Sequence, residues 1–557
     1  MKYYTIGIDF GTLSGRSVLM DSQNGQVLAS AVCEYPHAVM DEVLPCGKRL
    51  EPNMALQHPN DYLKVLERTI PEVCRLAGVS KNDVVGLGID FTGCTMLPVD
   101  AQGVPLCLKP QYEKEPHAYV KLWKDHSAQA EADAVTTLAK ETNQPWLSMY
   151  GGRISSEWMI PKILKICKDA PNIYHNTASF TEAGDWLYRR LTGMERYSVS
   201  FAGYKALWNE DNGYPSKEFF AALHPEMEGI VGTKLSETVV PIDDHAGVLS
   251  KEGAALTGLR EGIAVATPIL DAHASMPALG ITEEGTLMLI LGTSAVHLAH
   301  SEKKIEDVDG ICGYVHNAVI PPLYTYEAGQ ACCGDHFDWF VKNGVPAAYL
   351  RDAEQRGMGI HAYLREKANK LRVGESGLLA LDWFNGNRSV LSDGNLTGMI
   401  LGMTLRTRPE EIYRALIEAT AYGTRMILET FEKSGIRIDR IIASGGIAEK
   451  DAMMMQIYAD VINRPITVSD AKYSASCGSA MYAAVAAGLY SDIADAAKHL
   501  APKTGKTYLP INENVAIYDR IYTEYKVLHD YFGKGENDVM KRMAQISKDA
   551  KEKESDE

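Results

Sequence analysis

The chain has no CxxC pair among its ten cysteines, no apolar run long enough to cross a bilayer, and no excess of positive charge. Scattered cysteines speak against a zinc ribbon or a disulfide framework and suit reduced thiols; Cys332 and Cys333 are read as small packing residues. The most apolar stretch, 286–299, is short and is interrupted by Gly292-Thr293-Ser294, so no membrane span is expected. Lys and Arg number 56 against 72 Asp and Glu, a net charge of −16 that repels nucleic acid and anionic membranes at long range. An anionic ligand must then be held locally, by backbone amides, a metal or single basic residues. HExxH and GxSxG are absent, which removes the zinc-hydrolase and acyl-transfer readings. Gly505-Lys506-Thr507 fails as a Walker A loop because Leu500 stands where its first glycine is needed. Met1-Lys2-Tyr3-Tyr4-Thr5 enters a strand at once and leaves no room for a secretion signal, so a cytoplasmic protein is expected.

What is present is an echo. Thr5 to Met20 and Thr286 to Leu298 each read as an apolar strand, a tight turn of Gly with Thr or Ser, and a second apolar strand. The turns are Gly11-Thr12-Leu13-Ser14 and Gly292-Thr293-Ser294. A turn poor in side chains and flanked by hydroxyls offers several N–H groups to one spot, which polyphosphate binding requires. Two such turns facing each other would clamp a nucleotide.

At 557 residues the chain exceeds one hydrophobic core, and both halves mix strands and helices as α/β domains do. The division expected is 1–280, 281–505, and a helical, highly charged extension over 506–557. Apolar spacing predicts helices over 59–76, across 119–138, over 411–434 capped by Gly435, and over 449–463, with a loop at Pro171. Buried strands are expected at 84–90, 262–270 and 440–444.

Asp9 ends an apolar strand just before Gly11-Thr12, so its carboxylate projects where phosphates would lie and suits Mg²⁺ held through water. Arg16, just past the turn, is a second phosphate candidate. Gly445-Gly446, after a strand and before a helix, suit close backbone approach to a flat ligand such as adenosine. Asp271 follows the run 263–270, at the carboxyl end of a strand, where open α/β sheets place their ligands. Phosphoryl transfer asks little covalent chemistry of a protein, and an Asp that takes the proton of an attacking hydroxyl is its usual base. His273 is the rival base, and a core histidine is its plainer reading.

Asp9-Phe10-Gly11-Thr12, Leu291-Gly292-Thr293-Ser294 and Ser444-Gly445-Gly446, in that order and spacing, resemble the three nucleotide-binding segments of the FGGY carbohydrate kinases. Residues 84–100, 116–126, 182–186, 202–208 and 270–274 extend the resemblance to about residue 500. Most relatives carry Arg where His126 stands, and many carry Asn near Glu449-Lys450-Asp451. The resemblance implies two actin/hexokinase-like (ribonuclease H-like) α/β domains facing a cleft. It implies ATP with Mg²⁺ as cofactors, Asp271 as catalytic base, and Cys94, Lys205, Asp271 and Glu327 as sugar contacts. Asp9, Gly11, Thr12, Arg16, Gly292, Thr293, Ser294, Gly445 and Gly446 fall to the nucleotide. The acceptor implied is L-ribulose, in arabinose breakdown; another ketopentose or a pentitol, or a nucleotide-gated scaffold of the same fold, is the alternative. The partners expected are a small sugar and ATP, with neither nucleic acid nor membrane, and a homodimer is left open.

Overall fold

The computed structural model describes residues 3–555 apart from 244–246, 309 and 504, and the final two residues of the expected tail lie outside it. Its first sheet begins with β1 (Tyr4–Phe10), β2 (Ser14–Asp21) and β3 (Val27–Glu34), a meander turning at Gly11–Leu13 and again after Asp21. Helix α1 (Pro59–Ala77) leads to β4 (Val84–Phe91), which pairs parallel to β1. The helix starts with His58 accepting from Asn60 N–H and stops at Gly78 in the left-handed region. β5 (Ala264–Val265) and β6 (Ile269–Leu270) also pair parallel to β4. The single strand expected over 262–270 is thus two short ones. Proline lacks the N–H a ladder needs, and Pro268 sits in the gap between them. Helix α2 (Asp271–Ala278) follows directly.

The second sheet repeats the plan. β7 (Gly285–Leu291) and β8 (Ala295–Ser301) form the second hairpin, and β9 (Tyr324–Gln330) pairs antiparallel to β8. After α3 (Gly334–Gly344) and the long α4 (Pro409–Lys433), β10 (Ile438–Ser444) lies parallel to β7 and β11 (Ile466–Ser469) parallel to β10. The orders β3-β2-β1-β4-β5 and β9-β8-β7-β10-β11 correspond strand for strand. The echo in the sequence is therefore an echo of whole sheets.

Helix α5 (Ser474–Ala486) departs from that division. It lies within the expected second unit, yet its Cys477, Ala480, Met481 and Ala484 belong to the first sheet's core. Contact is backbone to backbone. A Cβ on Gly7 would stand 1.7 Å from Ser476 O and one on Gly88 1.9 Å from Ser479 O, so only glycine fits at both positions. The helix Ile493–Leu500 joins the same core. Packing thus assigns 474–500 to the first sheet rather than to the second.

Two further expectations fail locally. Residues 119–126 are not helical: Val120–Lys121 is a short strand between Leu56–Gln57 and Met96–Val99, and the helix there spans only Gln129–Glu141. Asp125, buried and paired with Lys121 at 3.4 Å, accepts from Ser127 N–H and holds the chain in a turn. Pro171 opens a helix, Pro171–Asn176, instead of a loop, because a proline at the first helical position forfeits no hydrogen bond.

Candidate active site

Both glycine turns are built so that their carbonyls are already taken. In the first, Gly11 O accepts from Tyr35 Oη (3.0 Å), Thr12 O from Gln57 Nε2 (2.7 Å), Leu13 O from Tyr35 N–H (2.9 Å) and Ser14 O from Gly11 N–H (3.0 Å). In the second, Gly292 O accepts from Gly334 N–H (2.9 Å), Thr293 O from Cys333 N–H (2.8 Å) and Ser294 O from Gly292 N–H (3.0 Å). With the acceptors occupied, amide N–H groups are what each turn can offer a ligand, and that polarity suits an anion. Cys333, read from sequence with Cys332 as a packing residue, thus clamps the second turn together with Gly334. Trp123 Nε1 donates to Thr12 Oγ1 at 3.1 Å and secures the first.

Asp9 stands in register with Arg16 on β2 and with Asp90 on β4. Burial pushes Asp90 well above the usual carboxylate range and the neighbouring Asp9 adds to it; its Oδ2 accepts from Ser479 Oγ of α5 at 2.6 Å. Burial raises Asp9 too, against the pull of Asp90 and Arg16. Arg16 is half-buried with its Cζ 4.9 Å from the Tyr473 ring centre, and its Nε has no hydrogen-bond partner.

Asp271 opens α2 and its Oδ1 accepts from Ala272 N–H at 2.7 Å. Burial, then the Asp9 charge, lifts its carboxyl to about 7; Glu327 adds to this and Lys205 opposes it. A carboxyl that titrates near neutrality beside other charges is the environment of a general base. Lys205 Nζ donates to both Glu327 oxygens at 3.1 and 3.2 Å, and His273 Nε2 lies 3.3 Å from the same carboxylate. The pair crosses from the first half to β9 of the second. Despite burial, Lys205 and His273 hold Glu327 well below the usual carboxylate range. His273, buried and packed 4.5 Å from the Tyr204 ring, is lowered from the usual histidine range by burial and lies against this cluster.

Cys94 is buried with φ +60°, and its carbonyl accepts from Lys162 Nζ at 2.7 Å. Lys162 also donates to Leu122 O at 2.8 Å, tying the Cys94 loop to the segment that carries Trp123. Sequence reasoning missed Lys162 because it occupies an apolar helix position, Met159–Asp169, with no local motif to mark it. Gly445, at φ +100°, would bring a Cβ within 2.6 Å of Leu291 O, whereas Gly446 faces open space; the segment therefore abuts the second turn. Glu449 and Lys450 are exposed. Asp9, Arg16, Asp271, Lys205 and Cys94 thus lie on the first half, with Lys205 reaching Glu327 of the second, while the Gly445 segment lies against the strand that leads into the Gly292 turn on the second half.

The sequence model of the FGGY family of carbohydrate kinases, N-terminal domain, matches residues 4–278, and that of the C-terminal domain matches 287–487. A ribulokinase of Bacillus licheniformis is 50% identical over 539 residues, covering 96% of this chain and 97% of that one. A ribulokinase of Geobacillus thermodenitrificans is 51% identical over 548 residues, 97% of each. Among solved structures, xylulose kinase from Lactobacillus acidophilus aligns with a TM-score of 0.77 at 18% identity, covering 96% of this chain and 99% of that one. Plasmodium falciparum glycerol kinase with ADP aligns at 0.74 and 18%, covering 94% and 97%. At such identities these structures show the fold alone: two actin/hexokinase-like α/β units.

Proposed function

From the premise that this chain belongs to the FGGY family of carbohydrate kinases, we propose that it transfers the γ-phosphoryl group of ATP to the terminal hydroxyl of L-ribulose, a step of arabinose breakdown. The observation that carries the reading is Asp271, raised to about 7 and set beside the Lys205–Glu327 pair.

The residues divide the work. Asp271 accepts the proton of the attacking hydroxyl at a carboxylate oxygen, and at neutral pH it is near the balance between acid and base that makes such transfer efficient. Lys205 donates to sugar oxygens and Glu327 accepts from hydroxyls, while the Cys94 loop, fixed by Lys162, shapes the wall. The amides of the two turns hold phosphate oxygens, with Arg16 in reach of the first. Gly446 leaves room for the adenosine. The oxygen donors at the first turn, Asp9 with Asp90 behind it and its unpartnered Oδ1, fit a hydrated divalent cation. Mg²⁺ bound there with the nucleotide would neutralise charge on the phosphates. Closure of the two halves excludes water as a competing acceptor.

ADP release measured across the four 2-ketopentoses, ribitol and no sugar tests this. L-ribulose is expected to give the highest kcat/KM. A different best acceptor would change the sugar, and turnover indifferent to every sugar would overturn the kinase reading.

A further inference from the structure

Arg388 lies in the connection between the strands Leu379–Leu381 and Met399–Leu401, outside every segment assigned so far. Its side chain is three-quarters buried, at 27% exposure, and its Nη2 donates to Glu157 Oε1 of the first half at 3.4 Å. That is the guanidinium's one hydrogen bond among the described residues, although the fork carries five N–H groups. The stem lies over Gly329 of β9: a Cβ there would stand 3.4 Å from Arg388 Cδ and 3.7 Å from Nη1. Side chains alternate along a strand, so Gly329 shares its face with Glu327, one repeat or about 7 Å away. The next residue, Ser389, accepts from Gly329 N–H at 3.2 Å and contacts Cys312 Sγ at 3.7 Å, which fixes the stem. After Glu157, the carboxylate that bears on Arg388 is Glu327.

A guanidinium three-quarters buried, anchored by one carboxylate and using one of its five N–H groups, retains donors that water or a ligand must satisfy. It stands one strand repeat from the Lys205–Glu327 pair, a separation on the scale of a five-carbon sugar. We propose that Arg388 is a further sugar-binding residue, donating to ketose oxygens from the second half while Glu157 of the first half orients its fork. Sugar binding then draws the halves together through the Arg388–Glu157 pair as well as through Lys205–Glu327. The inference rests on the sugar-kinase reading but not on the identity of the sugar.

The test is steady-state kinetics of wild type, Arg388→Ala, Arg388→Lys and Glu157→Gln. Each is assayed on whichever acceptor the wild type uses best, with a parallel titration of that sugar followed by intrinsic fluorescence. Arg388→Ala should raise the sugar KM and the sugar dissociation constant about 10- to 100-fold while the ATP KM changes less than about threefold. Arg388→Lys should recover part of the loss, and Glu157→Gln should produce a smaller rise confined to the sugar. Sugar constants within twofold of wild type in folded Arg388→Ala overturn the inference, as do sugar and ATP constants that rise together. If Arg388→Ala fails to fold, unchanged sugar constants in Arg388→Lys and Glu157→Gln overturn it equally. A wild type that turns over no sugar negates the parent reading, and the fluorescence titration against the ketose panel then decides this one, with no Arg388-dependent binding refuting it.

Discussion

Replacing Asp271 by Asn should destroy catalysis and strengthen the fold, and the second effect depends on pH in a way the geometry dictates. In the folded chain Asp271 keeps its proton up to about pH 7, against 3.8 for an ordinary aspartate. The folded pKa is the raised one, so the stability contributed by that proton is fully present below about 3.8 and is lost as pH rises through about 7. A difference of that size corresponds to at most about 4 kcal/mol at 1.36 kcal/mol per pH unit. The side chain is partly open to solvent, so about 1–2 kcal/mol is the realistic expectation. Asn never ionises and keeps what Asp loses. Urea or thermal unfolding of both proteins between pH 5 and 8.5 should therefore show Asp271→Asn gaining on wild type as pH rises and levelling above about pH 7. Removing the base should lower kcat by about 10² to 10⁴ at every pH. A stability gap that is flat or shrinks with pH would refute the reasoning, because Asp271 would then ionise as an exposed carboxylate does.

Three further outcomes follow from the same contacts. The kcat/KM of wild type should rise with pH up to about 7, and Lys205→Met should move that limb to higher pH, since after the Ala272 N–H the Lys205 charge pulls Asp271 down; a limb that stays in place contradicts the assignment of the base. Lys205→Met should also cost about 3 kcal/mol in unfolding experiments by leaving the largely buried Glu327 with only His273 beside it, with the double variant Lys205→Met/Glu327→Gln recovering much of it. Gly445→Val, strained at φ +100° and driven against Leu291 O, should raise the ATP KM at least tenfold and leave sugar binding measured without nucleotide unchanged.

The sequence exposed the hairpins because apolar strands around a Gly-Thr or Gly-Thr-Ser turn have one local solution. Asp271 was legible for a similar reason: the apolar run before it ends at the carboxylate. What failed was settled by distant partners. Tyr119, Trp123 and His126 fall at helical spacing, yet Lys121, Asp125 and the neighbouring strands hold that segment extended and then turned. Helix α5 went unread, and its place on the first sheet rests on Gly7 and Gly88, which look like weak points in their strands until a helix backbone is laid against them. Lys162 and Arg388 gave no signal, because their roles depend on carbonyls and carboxylates at least 40 residues away.

The most direct measurement is sugar-stimulated ADP formation by wild type and Asp271→Asn, with nucleotide binding followed separately and the product examined by ³¹P NMR. The account predicts L-ribulose 5-phosphate from wild type, turnover reduced by about 10² or more in the variant, and ATP bound by both. Equal turnover in the two proteins, or ATP hydrolysis that no sugar stimulates, would contradict it.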